Sequence, residues 1–230
     1  MTQYSAILSN ASEFVKNGLI DKWKRWILLI ILSIIQIFTI NIVPLFSGYL
    51  VRVYGTEGDT APEVDQYGKL FIDGWKLNIV TILYMIPALI VALFFGVIAI
   101  LPLIFGELSG GKMAEVSGLL LGSIGILIAF IIFILITLVM NMGFVHFSRS
   151  GHMMDAFSIG SITAKIQEGI GWGSYILMWI IVWILMLILA IILLGLTMIP
   201  VLGWIVGLII APLWSVFIAK IYCNIYDNRP

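Results

Sequence analysis

GIGWGSYILMWIIVWILMLILAIILLGLTMIPVLGWIVGLIIAPLWSVFIA, residues 169–219, contains no Asp, Glu, Lys or Arg. The hydrocarbon core of a bilayer is crossed by about 20 apolar residues of helix. At roughly 50 residues this stretch is long enough to cross twice. Gly195-Leu-Thr-Met-Ile-Pro200 divides it, because Gly and Pro break helices even where charge is absent. Three further uncharged runs lie upstream, at 26–51, 77–106 and 116–148. Each suits one crossing.

The expected fold is therefore an all-α integral membrane helical bundle, one membrane domain over residues 1–230. It has about five transmembrane helices, at 26–46, 77–101, 118–144, 175–196 and 201–221, with Pro87 expected to kink the second. Polar interfacial segments at 1–25, 47–76 and 146–170 separate or flank them. The alternating ten-residue strands of a membrane barrel are absent. Composition agrees: the chain is 62% hydrophobic and 10% charged, with a mean hydropathy of +1.15, where a soluble domain carries about 25% charged residues. Lys+Arg and Asp+Glu both number 12, so no basic surface points to nucleic acid. Cys223 is the single cysteine, which excludes an internal disulfide framework and a cysteine metal cluster. No cleavable signal peptide is expected. The first apolar run starts after Arg25, is too long and lacks a small-residue cleavage site.

The polar segments carry their own pattern. Tyr4, Ile7, Leu8, Ala11, Phe14 and Val15 recur at helical spacing, which predicts an amphipathic helix to Leu19, either in the headgroup layer or packed on the protein. Asp21-Lys-Trp-Lys-Arg-Trp26 is an interface signature of aromatic rings and snorkelling cations. Gly55 to Pro62 reads as a loop, and its acidic continuation to Asp65 as a solvated one. Ile159, Ile162 and Ile166 share one helical face. Gly48-Tyr-Leu-Val-Arg52 after the first span and Gly143-Phe-Val145 with Arg149 after the third suggest a parallel repeat, or chance similarity between apolar termini. Lysine and arginine counts on the two sides leave the orientation open, with the Lys22–Arg25 cluster opposing the two longer polar segments.

Two faces of small residues stand out: Gly118, Gly122, Gly125 and Ala129 in the third span, and Gly203, Gly207, Ala211, Ser215 and Ala219 in the fifth. Small residues let helix backbones approach where water supplies no driving force, so these are candidate helix-packing or oligomer faces. No ionisable residue lies deep in an expected span, which argues against ion coupling or a proton relay. Gln36, Asn41, Asn78 and Asn141 are read as interhelical hydrogen-bonding residues. Arg52 and Arg149 each follow a span and are candidate contacts for lipid phosphates or a partner's carboxylates, with snorkelling as the plainer reading. His146, His152 and Asp155 lack the i, i+4 spacing that puts two metal ligands on one helix face. Hydrolase, metalloprotease and phosphate-loop motifs are absent. The chain is expected not to be an enzyme and to need no cofactor or metal. Membrane lipids are the expected partners, with a protein partner or a second copy as further candidates, in the cell membrane. Partner binding or lipid organisation leads. A transporter or permease subunit for a neutral or lipidic solute is the alternative.

Several short sequences carry a resemblance across nearly the whole chain. They are Asp21-Lys-Trp-Lys24 before the first span, Ser47-Gly-Tyr-Leu-Val-Arg-Val53 after it, and Pro62-Glu63 with Leu70-Phe-Ile-Asp-Gly-Trp-Lys76. Asp155-Ala-Phe-Ser-Ile-Gly160 and Ile199-Pro-Val-Leu-Gly-Trp204 follow. The chain resembles the uncharacterised multi-pass membrane family known as domain of unknown function 4013, largely archaeal. The resemblance implies a multi-pass membrane protein and supplies no activity and no catalytic residues. One departure is Gly18-Leu-Ile20 where the family pattern implies Tyr-Pro before Asp21.

Overall fold

In a computed structural model of the protein, residues 3–109, 111–199 and 201–228 are described. Among them every regular element is helical. The helices are α1 (Gln3–Val15), α2 (Trp23–Phe38), α3 (Leu45–Gly55), α4 (Tyr67–Ser109), α5 (Lys112–Ser150), α6 (Ile159–Glu168), α7 (Gly171–Thr197) and α8 (Leu202–Tyr226). A π-helical turn at Lys16–Ile20 and a 3-10 turn at Met153–Phe157 complete the order. Pro200, read above as part of the last turn, lies outside the described residues.

Four helical segments are long and apolar enough to cross a membrane: Tyr67–Leu101, Val116–Ser150, Gly171–Thr197 and Leu202–Tyr226. Most of their side chains face outward although they are Ile, Leu, Val and Phe. That is the reverse of a soluble helix and fits a surface solvated by lipid. The protein is an all-α, multi-pass membrane bundle.

The expected first span, 26–46, takes a different form. α2 ends at Phe38 after 16 residues, a rise of about 24 Å, short of the roughly 30 Å of hydrocarbon. The chain then breaks. Ile40 and Asn41 adopt φ of 50° and 62°, and α3 starts after Pro44. Asn tolerates the left-handed region and Pro suits a helix start. Gln36 stitches the break, its Oε1 accepting from the Ser47 amide and its Nε2 donating to Ser47 Oγ, both at 2.9 Å. α4 continues through Pro87, and its non-helical dihedrals fall at Phe105.

The chain forms two compact units, residues 1–79 with 141–230, and residues 80–140. In the first, α1 packs along the carboxyl-terminal half of α8. Ile7 and Ala11 are fully buried, and Asn224 Nδ2 donates to Asn10 Oδ1 at 3.0 Å. The apolar face of α1 thus turns to the protein rather than to the headgroup layer. Ile162 and Ile166 of α6 are likewise buried. α3 meets the start of α4 through two glycines. A Cβ on Gly48 would overlap the Leu70 carbonyl, and one on Gly74 the Pro44 carbonyl. The second unit is a hairpin of α4 and α5 in which Gly122 faces Ala99 and Gly125 faces Phe95.

Candidate functional site

The chemistry of the first unit gathers on the loop between α3 and α4. Residues 56–66 have no regular structure, yet their backbone carbonyls need hydrogen-bond donors. The surrounding helices supply them. From α5, Arg149 Nη2 donates to Thr56 O at 3.0 Å. Lys220 Nζ of α8 donates to Gly58 O at 2.9 Å, and Arg25 Nη1 of α2 to Ala61 O at 2.9 Å. α3 contributes Tyr49 Oη to Pro62 O at 3.2 Å and Arg52 Nη1 to Glu63 O at 3.1 Å. Burial pushes the Tyr49 phenol well above its ordinary range, with Arg25 and Arg52 opposing and Glu63 adding to the rise. Tyr49 therefore remains a donor at any physiological pH.

The four cations each also meet one carboxylate of the same loop. Arg25 pairs with Glu63 and Arg52 with Asp65. Arg149 reaches Glu57 and Lys220 reaches Asp59, each at 3.3 Å. The cationic side chains are inside, Lys220 at 1% exposure, while Glu63 is 73% exposed. Exposed carboxylates contribute little by charge alone, about 0–1 kcal/mol per pair. The donors to the carbonyls do most of the holding, because a hydrogen bond to a charged group is worth about 1.5–3 kcal/mol. The π-helical turn fits this scheme, since it presents Gly18 O to Arg25 Nη1 at 3.0 Å.

Arg52 and Arg149, the candidate lipid or partner contacts, are thus engaged within the chain. Arg149 Nη2 additionally holds Asp227 at 2.8 Å. The acidic loop, read as solvated, is a strap fastened to α2, α3, α5 and α8. The sequence reading placed Arg25 in the interface signature and gave Lys220 no role. The available signal was numerical: four acids in nine residues, with five cations bordering the apolar runs.

The small-residue faces divide. Gly118, Gly122, Gly125 and Ala129 are all buried on α5. On α8, Gly203 lies against Thr197 and Ala219 is fully buried. Between them Gly207 has open space around it, Ala211 is exposed and Ser215 Oγ donates to Ala211 O at 2.9 Å. Gly125→Ala places a methyl on Phe95 Cβ and its ring, and because Cβ is fixed by the backbone the two helices must move apart. The expected loss is about 1–3 kcal/mol, read as a lower melting temperature in detergent, with Gly207→Ala unchanged. Asn78 Nδ2 approaches Asn41 O at 3.5 Å, and Asn141 Nδ2 donates to Tyr222 Oη at 3.3 Å.

His146 Nδ1 bonds Tyr226 Oη at 2.7 Å, while His152 turns to Ser150 O at 3.2 Å. Among the described residues no three His, Cys, Asp or Glu side chains converge as a metal site. Above the start of α4 lies a cavity of about 550 Å³ walled by Arg52, Thr56, Lys69, Asp73, Lys76 and Ser148, among others.

No curated protein and no solved structure matches the chain. Residues 31–201, well over half of the chain, match the model of the family described as Protein of unknown function (DUF4013), and the chain belongs to that family.

Proposed function

We propose that this chain is a non-enzymatic protein of the cell membrane that organises lipid from one leaflet, with its strapped end in the cytoplasm. The observation that carries the reading is the α2–α3 pair. Its amino-terminal end is fixed to the strap through Arg25 and its carboxyl-terminal end through Arg52. It starts and finishes against the same loop, so it does not cross. α2 meanwhile turns a continuous apolar stripe outward: Trp23, Ile27, Ile31, Ile35 and Phe38, the last 83% exposed. Ile40 and Ile42 extend it beyond the helix end. An apolar element that enters without crossing displaces lipid in one leaflet only.

With α2–α3 returning to its own side, the amino-terminal segment, the strap, the 151–170 segment and the tail after α8 share one side. Of the twelve Lys and Arg residues only Lys112 then falls on the other. The positive-inside rule places the strapped side in the cytoplasm.

Cysteine labelling in intact cells tests this topology. Lys22→Cys and Gly58→Cys are expected to be protected together from an impermeant maleimide, and Lys112→Cys to react. Cys223 is buried and stays silent. Labelling of residue 22 and protection of residue 58 would restore a crossing first span and remove the one-leaflet reading. A second reading is transport of a neutral solute. The interrupted backbone at 39–43, close to Gln36 and Asn78, supports it because broken helices line solute paths in carriers. Solute-dependent flux in proteoliposomes would favour it.

A further inference from the structure

The cavity above the start of α4 deserves its own assignment. Its charged lining is Arg52, Lys69, Lys76 and Asp73, three cations against one carboxylate. Asp73 is buried and bonded to Lys76 at 2.9 Å, and Arg52 is paired with Asp65, which leaves Lys69 to supply the excess. The helix ends add smaller terms. α3 and α5 present their carboxyl-terminal ends through Thr56 and Gly151, about half a negative charge each. α4 presents its amino-terminal end through Gln66, about half a positive charge. The balance stays positive, by about half a charge.

Hydrogen bonding points the same way. Arg52 spends Nη1 on Glu63 O and Asp65. Its Nη2 is buried and has no partner, and neither has Ser148 Oγ. Buried donors without acceptors are costly, about 1–3 kcal/mol each, and both residues belong to the wall of this one cavity. Thr56 Oγ1, in contrast, is already used by Arg52 O at 2.7 Å. Both atoms stand just behind the cavity surface, with almost no accessible area, and a side-chain turn toward an occupant that brings acceptor oxygens and negative charge would satisfy both. Arginine and lysine around a planar or tetrahedral oxyanion are the usual solution.

Position and size narrow the class. The cavity is bounded by Lys69, Asp73 and Lys76, and the apolar run of α4 begins at Leu77. That boundary is the depth at which lipid phosphates lie. About 550 Å³ accommodates a headgroup-sized molecule. We propose that the cavity bounded by Arg52, Lys69, Lys76 and Ser148 binds a phosphate-bearing anion, as the headgroup of an anionic phospholipid or as a soluble phosphate compound. This deepens the lipid-organising reading and rests on it only for the lipid source of the phosphate.

The test uses the full chain in mild detergent and three probes: short-chain phosphatidylglycerol, short-chain phosphatidylcholine and inorganic phosphate. Binding is read by calorimetry. Saturable phosphatidylglycerol binding is expected, weakened about tenfold by Lys69→Glu and several-fold by Ser148→Ala. Lys69 is exposed and the Ser148 hydroxyl has no partner to lose, so both variants should fold, with the elution profile as the check. Phosphatidylglycerol binding that inorganic phosphate does not displace assigns a lipid headgroup. Displacement by millimolar phosphate assigns a soluble ligand and leaves the site standing, while removing its support from the lipid reading. Equal binding of phosphatidylcholine and phosphatidylglycerol, or binding unchanged in both variants, overturns the site. None of these outcomes depends on which way the chain crosses the membrane.

Discussion

Gly48→Ala should lower the melting temperature of the detergent-solubilised protein by roughly 10 °C and leave much of it aggregated on expression. The added methyl would overlap the Leu70 carbonyl, and the carbonyl carbon and Cα of Leu70 lie too close as well. These are backbone atoms in the first turns of α4, so no side-chain rotation relieves the clash. α3 and α4 must separate instead. Overpacking typically costs about 1–3 kcal/mol, and a backbone clash belongs at or above the upper end. For a chain of this size each kcal/mol moves the transition by about 2–4 °C, which gives the expected shift. Gly74→Ala, against Pro44 O and the Gly48 amide, should behave alike. Gly68→Ala is the control. It lies on the first turn of α4 with open space around it, and alanine there should be neutral or stabilising by up to about 1 kcal/mol. Equal melting temperatures for the position 48 and position 68 variants would mean that α3 does not sit against α4 as described.

The second large effect is an asymmetry across one ion pair. Arg25→Met should cost about 3 kcal/mol, whereas Glu63→Gln should cost under about 1 kcal/mol. Losing the guanidinium deprives Gly18 O and Ala61 O of their donor, and each such loss is worth about 1–3 kcal/mol. Losing the carboxylate removes only an exposed partner, whose charge water already screens. Arg25 keeps both carbonyls in that variant. Thermal unfolding of the two variants reads the difference directly, and limited proteolysis within residues 56–65 should accelerate only for Arg25→Met. Equal destabilisation by both would show that the salt bridge, not the carbonyl bonding, holds the strap.

The two results separate what was legible in the amino-acid sequence from what was not. The apolar runs are long, uncharged and bounded by Lys, Arg and Glu, so the four helices long and apolar enough to cross could be placed from composition alone. The first run was expected as one helix over 26–46, because length was counted without weighing its breakers. Asn41 and Pro44 lie only three residues apart, one suited to positive φ and the other to a helix start. Together they end α2 where hydropathy would carry it on. The small-residue rule located Gly122 and Gly125, whose neighbours lie in the adjacent helix of the same hairpin. It passed over Gly48 and Gly74 because each is a lone glycine amid polar and aromatic residues, without a repeating stripe. The strap was hidden for a different reason. Its partners come from positions 25, 52, 149 and 220, and nothing local to residues 56–65 indicates which cations close on it. Only the three-dimensional meeting of four helices does so.

That spread of positions sets an order on biosynthesis. The loop carbonyls of Thr56 and Gly58 wait for Arg149 and Lys220, the latter 162 residues beyond Gly58. At about 5–20 residues per second, the ribosome delivers Lys220 roughly 8–30 seconds after Gly58. During that interval the loop of the nascent chain is held only by Arg25, Tyr49 and Arg52, at Ala61, Pro62 and Glu63. The arrival of Lys220 completes the fastening. A chain cut before residue 220 therefore leaves the Gly58 carbonyl without its donor, and that half of the loop loose.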